Sequence, residues 1–431
     1  MSTKNFCPFL SLFLGLVISF AGSGSALAAP GDLDTTFDGD GLVITNIVPS
    51  IPGRSDKASG IAIQADGKIV VAGDSGAFPA FQDFTLARYN TDGALDTTFH
   101  TDGRLVTNFG SGDEASDVAV QSDNKIVAAG QTCINYVCDV AVARYNSSGV
   151  LDTTFSGDGK QTTDFGGSDN GLYGGLAIQS NGKIVVAGYV LNGTDYDFAV
   201  YRYLSNGSLD TTFSGDGKVS FGFGAGRQDS ARDLVLQNDG KIVVAGDSGG
   251  NFAIARLNLN GSLDTTFSGD GKQTTDIGPN GSAWGVALQP DGKIVVVGQI
   301  RPDEVLSFRT KSAIARYNTN GSLDTNFNVT GKKVFSVIPS AYSGATDVII
   351  ESNGKIVVLA FTPGDFALVR LKSGGAFDTT FSGDGKTTFD FGGSELAATL
   401  AVQPLDGKYV LAGYTNSIMH RNDFALARVL P

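Results

Sequence analysis

Apolar and polar positions alternate in short bursts along this chain, and the bursts come in fours. Ser116–Gln121 (SDVAVQ) alternates apolar side chains, as a half-buried strand does. Ser122-Asp123-Asn124 reads as a tight turn, because Asp and Asn tolerate the left-handed backbone of a hairpin. Lys125–Gly130 (KIVAAG) is an apolar run, expected of a strand covered on both faces. Asp139–Tyr145 (DVAVARY) predicts a third strand, and Lys160–Phe165, after a polar segment, a fourth. The 3.6-residue apolar period of a helical solenoid is absent.

This unit recurs seven times. Leu-Asp-Thr-Thr-Phe starts at Leu33, Leu95, Leu151, Leu209 and Leu263, and in altered form at Leu323 and Phe377, 54 to 62 residues apart. A string like DGKIVVAG starts at Asp66, Asp123, Asn181, Asp239, Asp291, Asn353 and Asp406. The third strand carries Arg88, Arg144, Arg202, Arg256, Arg316, Arg370 or Arg428 near its end. Four antiparallel strands per repeat predict an all-β, seven-bladed β-propeller. Blades converge on the axis, so the strand bearing Ala62, Ala119, Ala177, Ala287 and Ala401 is expected innermost. The N-terminal strand Leu42–Ile47 precedes the first full unit, and the last unit stops after its third strand at Phe424–Arg428. One strand from the front and three from the back should therefore complete one blade and leave no free edge.

Composition adds to this picture. Glycine, 58 of 431 residues, is nearly double its usual share of about 7%, which suits a turn-rich body. A net charge of −13 without a basic run excludes nucleic acid as a natural partner, since phosphate must be neutralised by Lys and Arg. Residues 1–28 read as a secretory signal peptide: Lys4, the apolar stretch Phe9–Phe20, then Ala26-Leu27-Ala28, with cleavage before Ala29. Residues 29–431 form the propeller, in which no stretch is apolar enough for membrane insertion. A bacterial-type protein located in the periplasm, on the cell surface or outside the cell is expected, as a monomer. In that oxidising setting Cys133 and Cys138, with no other Cys or His nearby, should form a disulfide rather than hold a metal.

The LDTTF and GKIVVAG strings resemble the delta-60 repeat family of secreted bacterial β-propeller repeats, over about Gly31 to Pro431. The resemblance implies fold and export but carries no catalytic residue and no established activity. Leu323-Asp324-Thr325-Asn326-Phe327, Phe377 and the Leu-Ala ending of Asn353–Ala360 depart from the pattern in ways that packing should tolerate.

Two polar motifs repeat. A structural Arg–Asp pair is expected in every blade, including Arg88 with Asp96, Arg144 with Asp152, Arg202 with Asp210 and, across the closure, Arg428 with Asp34. A ring of ligand-binding arginines is the alternative. Asp38, Asp40, Asp158, Asp216, Asp270 and Asp384 lie in Ser-Gly-Asp-Gly-type segments. These contain calcium-type ligands but lack a full calcium loop, and Asp-Gly is an ordinary turn pair. No cofactor is therefore expected, with calcium left open. His100 and His420 fall on opposite faces, and neither a G-x-S-x-G elbow nor an H-E-x-x-H helix occurs, so catalysis is not the first reading.

The two faces of the ring should differ. Turns between first and second strands and the LDTTF segments are uniform. The connections Asp74–Asp83, Gln131–Asp139, Tyr189–Asp197, Gln299–Ser312 and Tyr414–Asp423 vary and share the other face. Insertions confined to one face mark a binding face. The longest contains Arg301, Asp303, Glu304, Phe308 and Arg309, candidate contacts to a protein or glycan ligand. The reading is a non-catalytic binding or scaffold module; the alternative is a hydrolase or lyase acting on an extracellular glycan or similar substrate.

Overall fold

Each GKIVVAG string forms the second strand of a four-stranded antiparallel sheet, and seven such sheets stand around one axis. The computed structural model describes residues 28–51, 53–76, 82–110, 112–135, 137–166, 175–302, 310–417 and 421–431. Strands β1 to β28, numbered in chain order, run as four per blade, and no helix occurs among the described residues. The first strands of the blades are β2 (Ser55–Ile63), β6 (Asp113–Val120), β10 (Leu176–Ile178), β14 (Asp229–Leu236), β18 (Ser282–Leu288), β22 (Gly344–Ile350) and β26 (Glu395–Val402). Each touches its counterpart in both neighbouring blades, so these seven line the axis. The fold is thus the seven-bladed propeller that the repeats predict.

Closure joins the chain's two ends. β1 (Leu42–Thr45) is the outer strand of the blade made by β26, β27 (Tyr409–Ser417) and β28 (Arg421–Val429). It pairs with β28 from Leu42↔Ala427 to Thr45↔Phe424. We number the blades 1 to 7 from the sheet that begins with β2, so this closing sheet is blade 7.

Between neighbouring blades, apolar side chains of facing sheets form seven clusters. The second and third strands are almost wholly buried, which accounts for their unbroken apolar runs. Six inner strands carry a β-bulge at the same place, between Ala58/Gly60, Ala115/Asp117, Ala231/Asp233, Ala283/Gly285, Ala345/Asp347 and Ala397/Thr399. The bulge presses a carbonyl toward the second strand. A Cβ on Gly73, Gly130 or Gly246 would sit 1.9 Å from the carbonyl oxygen of Lys57, Glu114 or Ser230. That contact explains the glycine ending the motif. Blade 6 reverses the arrangement: Ala360 takes this place, and Gly344 stands where those carbonyl-bearing residues do.

Two variable connections are less loop-like than their composition suggests. In blade 2 the second and third strands extend over Ile126–Ile134 and Val137–Tyr145, and in blade 3 over Ile184–Asn192 and Asp195–Tyr203. Most of Gln131–Asp139 and Tyr189–Asp197 is therefore projecting hairpin.

Candidate functional site

On the uniform face every blade builds the same knot. The Arg and Asp of each repeat meet at 2.6 to 2.9 Å: Arg88–Asp96, Arg144–Asp152, Arg202–Asp210, Arg256–Asp264, Arg316–Asp324, Arg370–Asp378 and, across the closure, Arg428–Asp34. Two further members were not apparent from the strings alone. The lysine of each GKIVV string approaches the same carboxylate, as Lys183 does Asp210 at 2.7 Å and Lys408 does Asp34 at 2.9 Å. The phenylalanine of each LDTTF string lies under the guanidinium, Phe213 under Arg202 at 4.6 Å. Six of the seven arginines also donate to a carbonyl of the next blade, Arg88 to Ser147 and Arg202 to Leu259 among them. Burial pushes the Asp34 carboxyl up, but Lys408, Thr36 and Arg428 outweigh it and bring it to about 2. Asp210 is likewise held well below the usual carboxylate range, with Lys183, Thr212 and Arg202 opposing burial.

The Ser-Gly-Asp-Gly acids serve their own turns. Asp40, Asp158, Asp216, Asp270 and Asp384 each accept the backbone N–H two residues on, at 2.9 or 3.0 Å. Asp38 sits at a left-handed φ of 50°. His100 lies in the corresponding segment of blade 1 on this face; His420 lies outside the described residues.

The variable face is heterogeneous. Cys133 and Cys138 are joined by a disulfide that staples the blade 2 hairpin. Its tip exposes Ile134 and Val137 by 60% and 51%. Arg301 is exposed, and its N–H donates to the Pro279 carbonyl at 2.8 Å. Asp303, Glu304, Phe308 and Arg309 lie outside the described residues.

The axis holds the most unusual chemistry. Just beyond the six bulges stand Gly60, Asp117, Asp233, Gly285, Asp347 and Thr399, and in blade 3 Gly175 immediately precedes β10. Gly60, Gly175 and Gly285 lie against Asp117, Asp233 and Asp347 of the neighbouring inner strands. Three carboxylates thus fill space that smaller residues leave. Asp117 accepts the Leu176 N–H at 2.8 Å, Asp233 that of Val286 at 2.8 Å and Asp347 that of Leu400 at 2.7 Å. Enclosure by protein pushes Asp117 up to about 7 and Asp347 up to about 6; Asp233 is also pushed well above the usual carboxylate range, by burial and by the other two carboxylates.

On the variable-face side of this neck stand the bulge residues Ser59, Ser116, Arg232, Trp284, Thr346 and Ala398, all part-exposed. Arg232 lies over the Trp284 ring at 4.6 Å and 3.6 Å from Asp247. Asp247 also accepts the Ser282 hydroxyl at 2.8 Å. Across the mouth Glu114 accepts the Gln131 amide at 3.0 Å. Burial and the nearby Glu114 push Asp74 up to about 7. On the uniform-face side the channel widens into a cavity of about 780 Å³ lined by Leu236, Leu288, Ile350 and Val402 among others. Aligning the first strands shows the Asp/Gly alternation in the sequence, yet only closure makes it a ring.

Comparison with known proteins bears on family rather than activity. A family model described as "Domain of unknown function (DUF5122) beta-propeller" matches residues 64–99, 121–155, 179–213, 237–267, 289–327, 351–381 and 405–431. No curated protein matches the chain. Solved structures that resemble it include polysaccharide lyase Uly1, at 13% identity and a TM-score of 0.49 over 90% of this chain and 91% of that one. A PL25 ulvan lyase bound to -[GlcA(1-4)Rha3S]- gives 13% and 0.48 over 93% and 94%. Drosophila Semaphorin 1b, extracellular domains 1-2, gives 9% and 0.45 over 93% and 88%. With matches in all seven repeats that together cover more than half of its length, the chain belongs to the DUF5122 beta-propeller family.

Proposed function

We propose that this is an exported, non-catalytic binding or scaffold module. Its ligand, a glycan or a protein segment, sits on the variable face at the axial mouth around Arg232 and Trp284. The observation that carries this reading is the asymmetry of the two faces. The uniform face repeats one closed set of contacts seven times, and the guanidinium donors are spent on Asp, Thr and carbonyl partners within the ring. That use supports a structural role for the Arg–Asp pairs. The variable face breaks the repeat, with the chain's single tryptophan beside an arginine at the axis and a stapled hairpin with an apolar tip. An aromatic plane with polar groups around it suits sugar rings and peptide side chains alike. Export rests on Lys4, Phe9–Phe20 and Ala26-Leu27-Ala28; residues 1–27 lie outside the described residues.

A screen of the protein against glycans and envelope proteins tests the reading. Trp284→Ala should weaken a detected interaction at least tenfold, while Asp38→Ala on the uniform face should leave it intact. Equal binding by both variants would remove the axial mouth from consideration. A hydrolase or lyase is the second reading, favoured by Asp74 and Asp117, whose carboxyls are pushed up to about 7, near neutrality, which suits proton transfer. Turnover of a glycan in the same screen, lost in Asp117→Asn, would establish it instead.

A further inference from the structure

We propose a calcium site at the variable-face seam between blades 6 and 7, formed by Asp365, Asp390 and Glu395. Asp365 immediately precedes the third strand of blade 6, Asp390 follows its outer strand, and Glu395 opens β26 of blade 7. One carboxylate oxygen from each lies within 4.8 Å of the other two, the only such group of three potential ligands among the described residues. None of the ion pairs found among the described residues reaches any of them.

Comparison with the other seams shows why this one differs. At the place of Glu395 stand Asp56, Asp113 and Asp229, each opposite a hydroxyl residue, Ser75, Thr132 or Ser248. Each gives one oxygen to the N–H of a residue following the preceding outer strand: Ile47, Phe109 or Phe223. Glu395 is one methylene longer. Its Oε1 performs both jobs alone, accepting the Gly393 N–H at 2.8 Å and the Thr415 hydroxyl at 2.9 Å. Its Oε2 is left buried without a hydrogen-bond partner, on a residue only 4% exposed. Asp56, Asp113 and Asp229 each leave one such oxygen too, but among the described residues only Glu395 has two further carboxylates beside it. A buried carboxylate oxygen without a partner is costly, and a cation is the partner that two neighbouring carboxylates would also favour.

Blade 2 also keeps acids at both of the other positions, Asp139 and Asp164, but no third potential ligand joins them among the described residues, and in the remaining blades one or both positions are replaced. In blade 1 they are Asp83 and Asn108. The Asn108 amide donates to Asp83 at 2.8 Å, and Arg54 pairs with Asp83 at 3.0 Å. In blade 5 they are Lys311 and Ser336. Blade 6 keeps acids at both places and has neither substitute. An all-oxygen, triply anionic set selects a hard cation, and calcium accepts the irregular geometry of carboxylates drawn from three separate strand ends. Asp390 is exposed, so water has access to complete the coordination shell.

Calorimetric titration of calcium into chelator-treated protein tests this. One ion per chain should bind, with a dissociation constant of about 10⁻⁴ to 10⁻³ M, the range of calcium sites in extracellular modules. Asp390→Asn, at an exposed position that folding should tolerate, should weaken binding at least tenfold, and Glu395→Gln should do the same. Asp216→Asn, in a uniform-face turn, should leave it unchanged. Absence of saturable calcium uptake, or equal uptake by Asp390→Asn, would overturn the site. Because the seam is separate from Trp284, loss of calcium binding and loss of ligand binding are distinguishable.

Discussion

Asp210 shows how one residue type, repeated, binds the ring together. Its carboxylate meets Arg202 and Lys183 at 2.7 Å each, and Arg202 also stacks on Phe213 and reaches the next blade. Removing one partner leaves the other charge buried, at a cost of about 3–5 kcal/mol for such a pair. A double-mutant cycle of Arg202→Ala and Asp210→Ala should therefore show coupling of at least about 1 kcal/mol at pH 7. The sign with pH follows from the carboxylate's depressed value in the folded state. Its contribution is complete above the unfolded value near 4 and fades as pH falls through the folded one. Coupling in urea denaturation should shrink toward low pH. Coupling that is absent at pH 7, or unchanged in acid, would count against the pair.

At the scale of the element, the bulged inner strand dictates what its partner strand can be. Gly246 faces the Ser230 carbonyl so closely that any Cβ must displace the backbone. Gly246→Ala should cost roughly 2–4 kcal/mol, in the range of other overpacking and strain effects, measurable as a lowered urea midpoint. Gly39→Ala, where a Cβ meets nothing within 4 Å, should cost much less, its positive φ being the only penalty. Equal effects would show that backbone freedom, rather than the close approach, conserves this glycine from blade to blade. The glycine at the end of GKIVVAG is visible in the sequence; its reason is not. The bulge on the facing strand leaves no local signature, because it arises where an inner strand must bend past its neighbours at the axis. For the same reason Arg232 and Trp284 read as unremarkable positions in a strand. The hairpins of blades 2 and 3 were hidden differently: their polar composition resembles loop, and pairing with each other extends them.

For the whole molecule, closure is the cooperative step. Blade 7 takes its outer strand from Leu42–Thr45, and Asp34 from the same segment receives Arg428 and Lys408. Deleting residues 29–46 would strip β28 of its outer partner and leave Arg428 without its carboxylate. The melting temperature should drop by more than 10 °C, or the protein should become aggregation-prone through the open edge; an unchanged melting temperature would refute the closure's importance. The acids at the axial neck belong to this scale too, since Asp117, Asp233 and Asp347 approach each other only when seven blades stand in a ring.

Blade number, strand content, closure, and the division into a uniform and a variable face followed from the sequence by itself. Each depends on local periodicity repeated seven times, and repetition makes local signals unambiguous. The Arg and Asp of each repeat were also legible, being only eight residues apart in chain and adjacent across one turn. The lysine completing that knot, the neck of carboxylates, the Arg232–Trp284 mouth and the seam of Asp365, Asp390 and Glu395 were decided by tertiary structure alone. These groups gather side chains from different strands or different blades. Their proximity follows from the curvature of the ring, which no single repeat encodes.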